Sequence, residues 1–175
     1  SKAIGAVNHI VINFDLTKWG GSALTDVNIN VPKNRKLTDK SIPITYVPAR
    51  NTIFLAFALA YAEAVKAEEI YIGVNAVDYS GYVDCRPKFI SKFQELIKLA
   101  TVAGSSGGIK IKTPLINLSK AEIVKLGEKL GVDWAMTWSC YQGGKLACGE
   151  CDSCRLRLKG FKEAGIKDRV KYKKI

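Results

Sequence analysis

Four cysteines within fifteen residues, Cys140-x7-Cys148-x2-Cys151-x2-Cys154, constrain this chain more than any other feature. Thiolates two residues apart converge on one ion because a tight turn points both sulfurs inward, and zinc takes four of them tetrahedrally at about 2.3 Å. Gly143, Gly144 and Gly149 supply backbone able to make such turns. A thioredoxin-like redox pair would use Cys151 and Cys154 and leave Cys140 and Cys148 without a role. An iron–sulfur cluster is the stronger rival, since Cys148-x2-Cys151-x2-Cys154 copies the first three positions of a ferredoxin run; Leu158 stands where the fourth cysteine would be. One structural zinc ion held by all four cysteines is expected, with no coordination position left open for catalysis. The fifth cysteine, Cys85, stands apart between Asp84 and Arg86, polar company for a residue type that usually acts as a small buried hydrophobe.

Disulfides are not expected. Residues 1–15 show neither a basic start nor a long apolar segment, so a cytoplasmic protein with reduced thiols is predicted. The longest apolar stretch, residues 53–62, runs into Glu63, short of the roughly 18–20 residues needed to span a bilayer. Lys plus Arg total 27 against 16 Asp plus Glu, a net charge of +11. Such an excess can mark a nucleic-acid surface, but here the charges are scattered. The densest group, Lys171-Tyr172-Lys173-Lys174, reads as a solvated terminus. A phosphate-rich small ligand is a competing explanation, and direct nucleic-acid binding is not expected.

Residues 1–6 read as the last turn of a helix closed by Gly5, and residues 7–14 as a strand. From 17 to 46 no period is sustained, and Gly20-Gly21, Val31-Pro32, Asn34 and Ile42-Pro43 punctuate the stretch. A segment of about 30 residues without elements inside a compact domain points to a lid or binding loop. A helix over 49–66 is apolar almost all round, as a helix packed on a sheet would be. Residues 70–74 form a short buried strand and 78–86 a polar loop. Pro87 opens an amphipathic helix to about residue 103, with Phe89, Ile90, Phe93, Leu96, Ile97 and Ala100 as its stripe. A strand follows at 109–112. Ser119 and Glu122 make a capping box for a helix ending at Gly131, and a last helix runs from 152 to Gly165. Strands alternating with helices of this length predict an α/β fold, a parallel sheet with helices on both faces. The chain divides into a body, 1–135, and a C-terminal four-cysteine region with its helix, 136–175.

Three segments together carry a resemblance. They are Tyr46-Val47-Pro48-Ala49-Arg50-Asn51, the stretch from Gly73-Val74-Asn75 through Asp78-Tyr79-Ser80-Gly81-Tyr82-Val83-Asp84-Cys85-Arg86-Pro87, and the cysteine cluster. They resemble the 7-cyano-7-deazaguanine synthase family of the PP-loop ATP-pyrophosphatase group, which acts in queuosine and archaeosine biosynthesis. Thr113-Pro114-Leu115 and Ser119-Lys120-Ala121-Glu122-Ile123 fit the wider group. The resemblance implies an adenine nucleotide alpha hydrolase-like fold. It further implies an ATP-dependent ligase that turns 7-carboxy-7-deazaguanine and ammonia into 7-cyano-7-deazaguanine, a homo-oligomer being left open. The family opens with a strand and a Ser-Gly-Gly-x-Asp-Ser phosphate loop that this sequence does not contain. Ser106-Gly107-Gly108 precedes a strand instead of opening a helix, so it offers no helix N-terminus to an anion. On this resemblance the chain reads as the C-terminal body of the enzyme and is not expected to turn over ATP alone.

Arg50 and Asn51 enter a buried helix from a loop, as nucleotide contacts would, or as a cap and a solvated side chain. Lys120 lies in a helix's first turn, where the macrodipole disfavours a cation; an anionic ligand explains it, and it is the first candidate for a catalytic role. Asp78, Tyr82 and Asp84 follow a strand, where open α/β sheets bind ligands. There a carboxylate can accept from a guanine-like edge and a ring can stack on its face, with a plain polar turn as the alternative. Arg86, the second catalytic candidate, pairs with the substrate carboxylate or with Asp84. Two rival functions remain: a tRNA-thiolating PP-loop enzyme, and a zinc-stabilised module that binds a nucleotide or a partner without catalysis.

Overall fold

The computed structural model describes residues 4–37, 41–76 and 81–173. Helix α1 (Arg50–Ala64) buries Asn51, Leu55, Leu59 and Ala62, residues at helical spacing that face the core. The chain enters it through Ala49, whose φ of 53° is left-handed and whose side chain caps nothing. Strand β1 (Glu69–Tyr71) pairs in parallel with β2 (Lys110–Lys112), Ile70 opposite Ile111. Parallel neighbours need a long crossover, and helices α2 (Pro87–Ala100) and α3 (Val102–Ser105) provide it. Ile90, Phe93 and Ile97 of α2 join Leu55, Leu59, Ile70, Val74 and Ile109 in the main core. The Gln94 side chain accepts from Ile111 N–H at 2.7 Å and donates to the Ile109 carbonyl at 2.9 Å, satisfying backbone groups of β2 that face no strand.

Helix α4 (Lys120–Lys129) opens on the expected capping box. Ser119 Oγ accepts from Glu122 N–H at 3.2 Å, and Glu122 Oε2 accepts from Ser119 N–H at 2.7 Å. Helix α5 (Asp152–Ala164) ends on Gly165 at φ 72° and packs against α4. Trp134 seals that joint, stacked edge-on against Phe161 at 5.0 Å and donating to Glu128 at 2.9 Å. A Cβ on Gly127 would meet the indole at 2.4 Å, so only glycine admits it. No helix among the described residues is long and apolar enough to cross a membrane.

The architecture is α/β with a parallel sheet, as the alternation of elements predicts. Two local expectations change. Residues 7–14 form no strand among the described residues, and Val7 and Val11 are exposed. Strand identity depends on a neighbour that takes up the backbone hydrogen bonds, which residue type does not reveal. The long amphipathic helix breaks at Thr101, because its Oγ1 accepts from Gly104 N–H at 2.9 Å and starts a new turn. The stretch from 17 to 46 has no strand or α-helix among its described residues, yet it is anchored. Ser22 is fully buried, and Ala23 N–H donates to the Ile44 carbonyl at 2.8 Å.

Candidate functional site

The four cysteines converge. Their sulfurs all lie within 4.8 Å of one another, and every one of these residues is buried. A tetrahedron with metal–sulfur bonds of about 2.3 Å puts its sulfurs about 3.8 Å apart, and those of Cys148 and Cys154 stand 3.9 Å apart. Backbone N–H groups point at the sulfurs: Cys148 N–H donates to Cys140 Sγ at 3.3 Å, and Cys151 and Glu150 donate to Cys148 Sγ at 3.3 and 3.4 Å. Burial pushes the Cys148 thiol up, but these amides outweigh it and bring the thiol down to about 7. Burial pushes Cys151 and Cys154 up; a cation among the sulfurs is what would hold both as thiolates. The donor set, spacing and amide pattern fit one metal ion bound by four thiolates.

The centre is tied to the rest of the chain on two sides. From the 17–46 stretch, Asn34 N–H donates to the Glu150 carbonyl at 2.9 Å and Arg35 pairs with Asp152 at 3.2 Å, while Arg155 donates to the Arg35 carbonyl. From the C-terminal side, Ala147 exchanges backbone bonds with Lys171 and Lys173. Arg157 forks onto Asp168 at 2.7 and 2.8 Å, and Tyr172 donates to Asp168 at 2.6 Å. Burial raises the Asp168 carboxyl, and these hydrogen bonds more than reverse it.

Beside the centre lies a cavity of about 580 Å³. One wall is the carboxyl side of β1, Ile72 to Asn75; another is the start of α1, with Arg50, Asn51 and Phe54. Lys120 and Ile123 of α4, Ser153 and Arg157 of α5, and Tyr82 and Tyr141 close it. The site therefore occupies the place where open α/β sheets bind ligands.

Of the residues singled out from sequence, Arg50, Asn51, Tyr82 and Lys120 meet on this cavity. The Arg50 guanidinium lies over the Tyr82 ring, 5.9 Å from its centroid. Lys120 is fixed at the first position of α4, and its Cβ lies so close to α5 that a Cβ on Gly160 would come within 2.6 Å of it. Asn51 turns its side chain inward, donating to the Asp84 carbonyl at 3.0 Å and to Cys85 Sγ at 3.3 Å.

Asp84 is put to a different use from the one its loop position suggests. It is buried and off the cavity wall, and its Oδ2 accepts from Asn51 N–H at 3.0 Å. It thereby caps α1 from outside the helix, a role that Ala49 cannot fill. Arg86 is exposed at the N-cap of α2 and is not among the described residues that line the cavity. Asp78 lies outside the described residues. Cys85 does face the cavity, and burial, with the Asp84 carboxylate next to it, pushes its thiol up.

Replacing Asp84 with Ala should cost about 1–3 kcal/mol, because it strands the buried Asn51 amide at the helix start. Asp84→Asn, which keeps an acceptor, should recover most of that. Denaturant melts of both variants decide it; equal melting of Asp84→Ala and the parent would show that the cap carries nothing.

Sequence reading did not single out Tyr141, Ser153, Arg157 or Asn75 as wall residues. Tyr141 had a usable signal, since it follows Cys140 and any folding of the cysteines around an ion fixes its backbone. The others come from elements that only the packing of α4 on α5 and the closing of the sheet bring together.

Comparison with known proteins agrees with this geometry. The family model for Queuosine biosynthesis protein QueC matches residues 1–165. A 7-cyano-7-deazaguanine synthase from Nostoc sp. (strain PCC 7120 / SAG 25.82 / UTEX 2576) is 60% identical over 175 residues, covering 98% of this chain and 76% of that protein. Proteins of the same name from Trichormus variabilis and Citrifermentans bemidjiense are 58% and 57% identical, covering 99% and 100% of this chain and 78% of each relative. With the family model spanning almost the whole sequence and the cysteine centre and cavity both formed, the chain belongs to the QueC family of queuosine biosynthesis proteins.

Proposed function

We propose that this protein is an ATP-dependent ligase that converts 7-carboxy-7-deazaguanine and ammonia into 7-cyano-7-deazaguanine. The observation that carries the reading is the meeting of two cations, Arg50 and Lys120, with the Tyr82 ring in one cavity at the end of β1. Cations suit phosphates, and an aromatic face suits a purine. A carboxylate is a poor electrophile, so its oxygen first attacks the α-phosphorus of ATP and expels pyrophosphate. Ammonia then displaces AMP and leaves the amide. A second ATP activates the amide oxygen in the same way, and loss of AMP and two protons leaves the nitrile.

In this reading Lys120 and Arg50 hold phosphate charge as it rearranges, and Tyr82 stacks on the deazapurine. Asn51 and Asp84 keep the start of α1 in place. The cysteine centre holds one zinc ion as a structural element; residues 136–175 form the region built around it, against the body 1–135. Its four ligands leave no open position, so the ion takes no part in the reaction. Reduced thiols fit a cytoplasmic enzyme.

The experiment is direct. The protein in its longest natural form is incubated with ATP, ammonium and 7-carboxy-7-deazaguanine, and products are followed by mass spectrometry. Formation of the nitrile with AMP and pyrophosphate is expected. ATP turnover with no change in the deazapurine, or sulfur transfer to tRNA instead, would overturn the proposal.

A further inference from the structure

The cavity and the cysteine centre share one residue. Tyr141 follows Cys140 directly, and its ring packs against the cysteine cluster. Its other end reaches the cavity, where its hydroxyl stands 2.9 Å from that of Tyr82. The Tyr82 hydroxyl lies 2.9 Å from Thr45 Oγ1 on its other side. Three hydroxyls, Thr45, Tyr82 and Tyr141, thus run in a chain from the long loop to the cavity wall beside the cysteine cluster.

A tyrosine side chain has only two freely turning bonds and a rigid ring. Joined to Cys140, packed against the cysteine cluster and met at its tip by the Tyr82 hydroxyl, it transmits position with little loss. The Tyr82 ring packs against the main core, with Tyr46 tilted beside it at 6.3 Å and the Arg50 guanidinium over it. A contact at the Tyr82 hydroxyl therefore bears on the ring that Arg50 covers.

We infer that Tyr141 is a positioning residue that couples the four-cysteine centre to the cavity, holding the Tyr82 ring at the angle from which it stacks on the deazapurine. The inference rests on the stacking role given to Tyr82 above. Metal bound by the cysteines would then serve the site at a distance, through the loop that carries Tyr141.

The test is a set of conservative variants in the metal-loaded, full-length protein. Tyr141→Phe keeps the ring and removes the hydroxyl. It should raise the purine KM about three- to tenfold, the range that one lost hydrogen bond gives, with kcat and metal content unchanged. Tyr82→Phe should do the same, and the double variant should be no worse than Tyr82→Phe, because both remove one shared contact. A purely structural role for Tyr141 would instead lower the melting temperature and the active fraction, leaving KM alone. That result, or additive effects in the double variant, overturns the inference. Tyr82→Ala separates the two levels. If it leaves the purine KM unchanged, the stacking role itself fails. If it raises KM while Tyr141→Phe does not, stacking stands and the coupling falls.

Discussion

Cys151→Ser is expected to empty the metal centre and unfold the four-cysteine region at 140–173. Cys151 is fully buried, its sulfur is one of four within 4.8 Å of one another, and it stands at the N-cap position of α5. A hydroxyl is a poor ligand for zinc beside three thiolates, and a three-sulfur site would be left open to water. Structural zinc is worth roughly 10–16 kcal/mol in small zinc domains, as much as the whole 5–15 kcal/mol or so that stabilises an ordinary domain. Losing it should therefore release the loop at 140–151 and α5. The Asn34–Glu150 and Arg35–Asp152 contacts that hold the long loop should go with them. Metal analysis should fall from about one zinc per chain to none, as a single four-thiolate site requires. Amide exchange over 140–173 should lose its protection. Cys85→Ser is the control: it lies outside the cluster and should keep its metal. The expectation fails if Cys151→Ser retains zinc and its melting temperature. Stoichiometric iron with visible charge-transfer absorption in the parent protein would replace zinc with a cluster.

Lys120→Ala should lower kcat by roughly 100-fold, the loss typical of removing one group that stabilises charge only in the transition state. The purine KM should stay within about threefold, since uniform binding of the base is untouched. Lys120 sits at the first position of α4 on the cavity wall, where the helix dipole opposes a cation. Its placement is supported by packing, because Gly160 of α5 lies against its Cβ. Alanine keeps that Cβ, so the helix crossing survives and the variant reports on the amine alone. Steady-state kinetics with ATP and purine varied independently, alongside a thermal melt, provide the check. If kcat falls by less than about threefold, a loss well under 1.4 kcal/mol, Lys120 is an ordinary wall residue. The phosphate site must then be rebuilt around Arg50.

The sequence by itself determined the features that depend on neighbours along the chain. The capping box at Ser119 and Glu122, the stop at Gly165 and the inward Ile90, Phe93 and Ile97 of α2 formed as the local patterns require, while Leu96 and Ala100 of the expected stripe are exposed. So did the convergence of the four cysteines, because two-residue spacings and glycine turns leave their sulfurs few other places to go. Three candidate contacts, Arg50, Tyr82 and Lys120, were legible for related reasons: each occupies an element end that faces a strand's carboxyl side.

Tertiary structure decided everything that needs a partner distant in sequence. Residues 7–14 have strand-like composition but no ladder among the described residues, since a strand is defined by its neighbour's hydrogen bonds. Asp84 stands in a loop that suggests ligand contact, yet its carboxylate meets the Asn51 amide across 33 positions. That amide could not be known to lack a cap until Ala49 was seen in a left-handed turn. Tyr141 reaches Tyr82 across 59 positions, and Arg35 reaches Asp152 across 117. Local pattern fixes which backbone groups a helix or turn satisfies by itself; the remainder, including the cavity wall, is satisfied by whichever distant group the packing brings within about 3 Å.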